Sequence, residues 1–125
     1  MPIDATQPYD DSNIFARLLR GEIPASKVYE DDHALAFHDI NPQAPFHVLV
    51  VPKAAYVSWD DFSQRGSAEE IAGFVRAVGH VAREAGLVGE GYRIVANIGH
   101  NGGQEVPHFH VHIIGKRPLG AVLAG

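Results

Sequence analysis

Apolar and polar residues alternate with two different periodicities along the 125 residues of the chain. A helical periodicity, with apolar positions three and four residues apart, extends through 67–86. Ser67 and Glu70 can form a capping box at its start, and Gly86 stands where such a helix would end. A shorter helix with Ser12 as its N-cap is predicted to end near residue 20.

The second periodicity is that of β-strands. Runs rich in β-branched and aromatic residues, separated by Pro, Gly or Asp, predict five strands at 27–30, 34–39, 47–51, 92–97 and 107–114. The run 47–51 is apolar throughout, which indicates a strand that is buried on both faces. The order α-β-β-β-α-β-β predicts an α+β domain with an antiparallel sheet, helices on one face and the other face partly open.

The length fits a single domain. We expect a flexible leader over 1–11, a domain over 12–117 and a tail over 118–125. The tail is uncharged and mildly apolar, so we expect it to dock on another surface. The start resembles no signal peptide, no run approaches a membrane span, and cysteine is absent, which together favour a cytoplasmic protein without a membrane partner.

Charge narrows the partners further. The net charge is −5, and the ten Lys and Arg residues are scattered instead of forming the basic stripe typical of nucleic-acid domains. We therefore expect no nucleic-acid partner. A phosphate ligand would be small and held by local contacts.

The most informative motif is the alternation of His108, His110 and His112 with apolar residues. Residues two apart on a strand share a face, so the three imidazoles should line one side while Phe109 and its apolar neighbours bury on the other. Imidazole serves as a base, a nucleophile or a metal ligand. The loop 102–104, Gly-Gly-Gln, could form a phosphate cradle from backbone N–H groups, although such a loop is as often a simple turn.

Together with the segments 37–40, 42–47 and 102–104, the His-φ-His-φ-His-φ-φ pattern resembles the histidine triad (HIT) superfamily. The similarity is to its Hint branch, the purine nucleoside phosphoramidases, and covers about 12–117. It implies an HIT-like fold with a five-stranded antiparallel sheet and two helices. It also implies a homodimer in which the helix 67–86 and the strand 92–97 meet their symmetry mates, so that two sheets join into one of ten strands.

The resemblance implies a hydrolase that cleaves purine nucleoside 5′-phosphoramidates or related nucleotidyl bonds. His110 would be the nucleophile that forms a covalent nucleotidyl-histidine, His112 would contact phosphate oxygens, and His108 and His47 would support them. Imidazole attacks through its unprotonated nitrogen, so the other nitrogen must donate to an acceptor. The implied substrate-binding residues are Ile14, Phe15, Phe37, His38, Asp39, Ile40, Asn97, Gly103, Gln104 and Glu105.

Two departures from the Hint pattern affect substrate choice. Glu105 stands where the best-known Hint enzymes carry a serine near the leaving group, and the tail lacks the tryptophan of animal Hint proteins. No cofactor is required by the expected chemistry. Three alternatives stay open: a zinc site on the His-x-His strand with His47, a nucleotide-binding regulatory protein with little turnover, and a dinucleoside polyphosphate hydrolase.

Overall fold

The computed structural model describes residues 1–123. Its helices are α1 (Ile14–Leu19), α2 (Trp59–Arg65), α3 (Ala68–Glu84) and α4 (Gly99–Gly102), and its strands are β1 (Lys27–Glu30), β2 (Ala34–His38), β3 (Phe46–Pro52), β4 (Tyr92–Val95) and β5 (Val111–Gly115). All strands form one sheet in the order β1-β2-β3-β5-β4, and every neighbouring pair is antiparallel. The predicted five-stranded antiparallel sheet is confirmed.

Residues 1–123 contain four helices, two more than were expected, and the additional ones are α2 and α4. The segment of α2 carries acidic residues in its first turn and buries only Phe62, so it has no apolar stripe to reveal it. Ser58 caps it by accepting from the Asp61 N–H. The other missed helix, α4, is a single turn at 99–102 that contains two glycines.

Of the two predicted helix N-caps, the one at α3 is present in the structure and the one at α1 is not. The capping box of Ser67 and Glu70 is present at α3. At α1 the N-cap is Asn13, whose side chain accepts from the Ala16 N–H, and not Ser12. The Ser12 hydroxyl instead donates to Asp10 in the preceding turn.

The histidine strand is shorter than the predicted 107–114, because β5 begins only at Val111. The Phe109 N–H donates to the Tyr56 carbonyl in a loop, so this stretch is outside the ladder with β3. The side chains still alternate, since Phe109 packs with Phe62 in one core cluster. His110 lies on the other side, against Phe15.

Each face of the sheet carries its own apolar cluster. The larger cluster joins α2 and α3 to one face through residues such as Val48, Phe74 and Ile113. The smaller one joins Phe15 of α1 to Leu49 and its neighbours on the opposite face. Helices α2 and α3 therefore cover most of one face, whereas α1 covers only part of the other and leaves space beside it.

Both terminal segments make contacts with the domain. In the leader, the Ile3 N–H donates to the Gln104 carbonyl at 2.7 Å. In the tail, Arg93 donates to the Gly120 carbonyl at 2.7 Å, while Leu123 is exposed. The boundaries at 11/12 and 117/118 stay predictions, and residues 124–125 lie outside the described residues. Within 1–123, no helix has both the length and the apolar character that crossing a membrane requires.

Candidate active site

A cavity of about 800 Å³ opens beside α1 on the partly covered face of the sheet. It gathers residues from distant parts of the chain: α1, the loops after β2 and α4, and strands β3 and β5. Every residue of the predicted site except His108 lines it, namely Ile14, Phe15, Phe37, His38, Asp39, Ile40, His47, Asn97, Gly103, Gln104, Glu105, His110 and His112.

The polar end of the cavity holds a compact group formed by Asp39, His47 and His112. The Nε2 of His47 lies 2.9 Å from Nδ1 of His112. A carboxylate oxygen of Asp39 lies 3.3 Å from the former nitrogen and 4.0 Å from the latter. Neighbouring strands β3 and β5 place the two histidines on one face, and the Asp39 N–H donates to the His47 carbonyl, which holds the loop after β2 against them.

The protonation pattern of this group follows from its donors. The Gln43 N–H donates to Nδ1 of His47, so that nitrogen carries no proton and Nε2 of the same ring is the donor. In turn, Nδ1 of His112 accepts, which places the proton of a neutral His112 on Nε2. Burial, together with the nearby rings of His110 and His47, lowers the pKa of His112 to about 4. At neutral pH His112 is therefore an uncharged N–H donor at the cavity wall.

His110 has the opposite tautomer. Its Nδ1 lies 2.8 Å from the His108 carbonyl, which can only accept, so Nδ1 carries the proton and Nε2 has a free lone pair. This is the acceptor that the sequence argument required. Burial lowers the pKa of His110, partly opposed by that backbone bond and by the charge of Asp39. The ring packs edge-on against Phe15, with centroids 4.9 Å apart.

His108 is placed differently from the other two histidines. It is fully buried and does not line the cavity. Its Nε2 contacts the Pro52 carbonyl at 2.8 Å, and its Nδ1 contacts the Tyr9 hydroxyl at 2.6 Å. Burial lowers the pKa of His108 to about 4, so the ring is neutral. The expectation that three imidazoles would line one open face is therefore wrong for His108.

In the glycine loop, backbone N–H groups that the sequence suggested were free to bind phosphate already donate hydrogen bonds within the protein. The Gly103 and Gln104 N–H groups donate to the carbonyls of His100 and Gly99, closing the turn after α4. Gly103 has φ 77°, a backbone conformation that favours glycine. The buried Gln104 side chain donates to the Val57 carbonyl and accepts from the Gly99 N–H. A phosphate bound by these groups would compete with existing bonds.

Several cavity residues were not foreseen. The apolar end is formed by Leu18 of α1 and by Ile23, Pro24 and Ala25, which follow that helix. Leu18 lies one helical turn after Ile14, a spacing that could have revealed it. Tyr9, which contacts His108, carried no local signal. Glu105 lies exposed at the rim.

The Asp39, His47 and His112 group is also the candidate metal site, because its ligand atoms lie within 4.8 Å of one another. Zinc holds ligands at about 2.0–2.1 Å, so two nitrogens on one tetrahedral ion are roughly 3.3 Å apart. The observed 2.9 Å is a hydrogen bond, and the rings would have to separate to admit zinc. The residue types suit a metal, and an ion bound through these two nitrogens would replace the hydrogen bond between them.

Comparisons with known proteins identify the class. A family model described as "HIT domain" matches residues 20–119. An uncharacterised 13.2 kDa HIT-like protein of Azospirillum brasilense is 61% identical over 115 residues, covering 92% of this chain and 94% of the relative. The purine nucleoside phosphoramidase of Escherichia coli K12 is 39% identical over 114 residues, with 91% and 95% covered. The chain belongs to the HIT family.

A solved structure and a plant relative extend the comparison. A histidine triad protein from Clostridium difficile superposes with a TM-score of 0.83 at 40% identity, covering 93% of this chain and all of that one (100%). A protein of Zea mays named "14 kDa zinc-binding protein" is 44% identical over 121 residues, with 92% and 91% covered. The fold and the family are therefore established from both sequence and structure.

Proposed function

We propose that this HIT-family protein is a nucleotide-binding hydrolase that cleaves purine nucleoside 5′-phosphoramidates or related nucleotidyl bonds. The observation that carries the proposal is the free lone pair on Nε2 of His110, a cavity-lining residue whose other nitrogen is fixed by the His108 carbonyl. The name of the E. coli relative supports the same chemistry.

The proposed reaction has two steps. The Nε2 lone pair of His110 forms a bond to the α-phosphorus while the phosphorus–nitrogen bond of the substrate breaks, and the leaving amine takes up a proton. Water then attacks the same phosphorus and loses a proton, which balances the one that the amine took up, the bond to His110 breaks, and the nucleoside monophosphate leaves with the ring restored. The neutral His112, with its proton on Nε2, is suited to donate to a phosphate oxygen during both steps.

The shape of the cavity is suited to a nucleotide. Its polar end carries the histidines and Asp39, whose carboxylate can accept hydrogen bonds from ribose hydroxyls. Its apolar wall, which includes Phe15 and Phe37, can pack against a purine base. We propose no required cofactor, because fixed N–H donors can stabilise the phosphoryl charge.

The activity is tested with adenosine 5′-phosphoramidate. We expect the wild type to release AMP and His110→Ala to be inactive while still binding AMP. His100→Ala is the matched control, since His100 is exposed and does not line the cavity. Full activity in His110→Ala would eliminate the nucleophile, and AMP binding without turnover by the wild type would favour a regulatory binding protein.

Glu105 bears on the leaving group. Because this exposed rim residue carries a carboxylate beside a site for phosphate, we propose that it affects which leaving groups are accepted. A panel of AMP-amines, acyl-AMPs and diadenosine polyphosphates should therefore change in rank order in Glu105→Ser. A preference for the diadenosine compounds would point to dinucleoside polyphosphate hydrolysis instead, and an unchanged order would refute a role for Glu105.

We also propose a homodimer. Among residues 1–123, β4 has no strand on its outer side. Ile94 on that strand and Val75 on α3 are 52% and 61% exposed. Pairing of β4 with its symmetry mate would produce the expected ten-stranded sheet. Sedimentation should give a dimer at micromolar concentration, and Ile94→Asp should shift it to monomer.

The cytoplasmic location also belongs to the proposal, and its support is the sequence alone. Cell fractionation tests it: recovery in the membrane or an exported fraction would contradict it.

A further inference from the structure

The leader reaches the histidine site at two points. The Tyr9 hydroxyl lies 2.6 Å from Nδ1 of His108, and the rings meet edge-on with centroids 5.6 Å apart. The Ile3 N–H donates to the carbonyl of Gln104, whose side chain is buried under the cavity loop. Both leader residues precede the segment 20–119 that matches the family model. The contacts are therefore made from outside the matched region.

The direction of the Tyr9 bond follows from the other nitrogen of the ring. Nε2 of His108 lies 2.8 Å from the Pro52 carbonyl, which can only accept, so Nε2 carries the proton. The neutral ring then has its lone pair on Nδ1, and the Tyr9 hydroxyl is the donor. Burial raises the pKa of Tyr9, so the hydroxyl keeps its proton at neutral pH.

His108 connects this donor to the nucleophile. Its carbonyl accepts from Nδ1 of His110 at 2.8 Å and thereby fixes which nitrogen can attack. His108 precedes β5 and lies outside the strand ladder, which pairs Val111–Gly115 with β3. The peptide that carries its carbonyl is held by the Phe109 N–H, which donates to the Tyr56 carbonyl. The bonds at both nitrogens of the His108 ring hold the same residue from its side-chain end.

We propose that Tyr9 is a positioning residue for the nucleophile: by donating to His108, it holds the carbonyl that fixes the tautomer and orientation of His110. The inference rests on the proposed function of His110. It adds a residue of the leader that touches neither the cavity nor the substrate. Without the hydroxyl, a buried acceptor is left unpaired and the ring is held from one side only.

The test compares Tyr9→Phe with Tyr29→Phe in the full-length chain. Each change removes one hydroxyl, and the Tyr29 hydroxyl donates to Asp31 at 2.8 Å, away from the cavity. For Tyr9→Phe we expect kcat on adenosine 5′-phosphoramidate to fall about tenfold, the rate equivalent of one hydrogen bond, with the Kd for AMP unchanged. Tyr29→Phe should retain the wild-type kcat. A wild-type kcat in Tyr9→Phe, or an equal loss in both variants, would overturn the proposal.

A second readout does not depend on turnover. Long-range ¹⁵N–¹H spectra report which nitrogen of each histidine carries the proton. We expect His110 to be a single Nδ1–H tautomer in the wild type and a mixture in Tyr9→Phe. Identical His110 signals in both proteins would refute the role of Tyr9. If the wild type proves inactive, the proposed function fails, and these spectra alone decide whether Tyr9 positions His110.

Discussion

The buried His108 should make the protein lose stability in mild acid. An unfolded chain protonates this imidazole below its ordinary pKa of 6.5, whereas burial lowers the pKa in the folded protein to about 4. Between pH 6.5 and pH 4 the unfolded state binds more protons than the folded state. The contribution of His108 to the free energy of unfolding is therefore complete above pH 6.5 and is lost as the pH falls toward 4. From these two pKa values, linkage gives a decrease in the free energy of unfolding of about 2 kcal/mol near pH 5 and almost no decrease near pH 7.5.

His108→Gln isolates this contribution. The amide can donate to the Pro52 carbonyl and accept from the Tyr9 hydroxyl, but it does not titrate. Urea unfolding, followed by the single Trp59 at fixed protein concentration, should show the wild type losing about 2 kcal/mol more than the variant between about pH 7.5 and pH 5. His110 and His112 are present in both proteins, so their contributions largely cancel. An equal pH dependence in the two proteins would show that His108 is not held neutral by burial.

Three further changes test the site and the scaffold. Because burial lowers the pKa of His110, kcat/KM on adenosine 5′-phosphoramidate should stay high as the pH falls to 6.5 and decline only below it; a decline centred above 6.5 would contradict a depressed pKa. Ser67→Ala removes the side chain that caps α3 and should lower the free energy of unfolding by about 1 kcal/mol, whereas an unchanged melting temperature would mean that the cap contributes nothing. A Cβ at Gly73 would lie 2.9 Å from the Cβ of His33, so Gly73→Ala should destabilise by about 1–3 kcal/mol, and a gain in stability, as expected for a free helix position, would refute this close contact.

Local signals in the sequence were enough for much of the fold. The capping box at Ser67 and the apolar run 47–51 each act over a few residues, and both predicted their elements well. By contrast, α2 buries only Phe62 and has no helical stripe to detect. The start of β5 depends on where β3 can pair with it, which is a tertiary property that alternation alone does not show.

The same distinction applies to the candidate site, where local patterns predicted some features and contacts between residues distant in sequence determined the others. The motif placed His110 and His112 correctly at the cavity, because alternation sends both to one side of the chain. It did not reveal that Tyr9 and Pro52 would bury His108, since those residues are distant in sequence. Likewise, the glycine loop suggested free N–H groups, and only the folded turn shows that Gly103 already donates to another carbonyl.

A covalent bond between Nε2 of His110 and phosphorus defines the proposed reaction, and the decisive experiment is to trap that species. Wild-type protein is mixed with excess adenosine 5′-phosphoramidate, quenched within a turnover, digested and analysed by mass spectrometry. We expect one adenylyl group on the peptide that contains His110, absent from His110→Ala. AMP release with no modified histidine at any time, or a group attached to His112 instead, would rule out nucleophilic attack by His110.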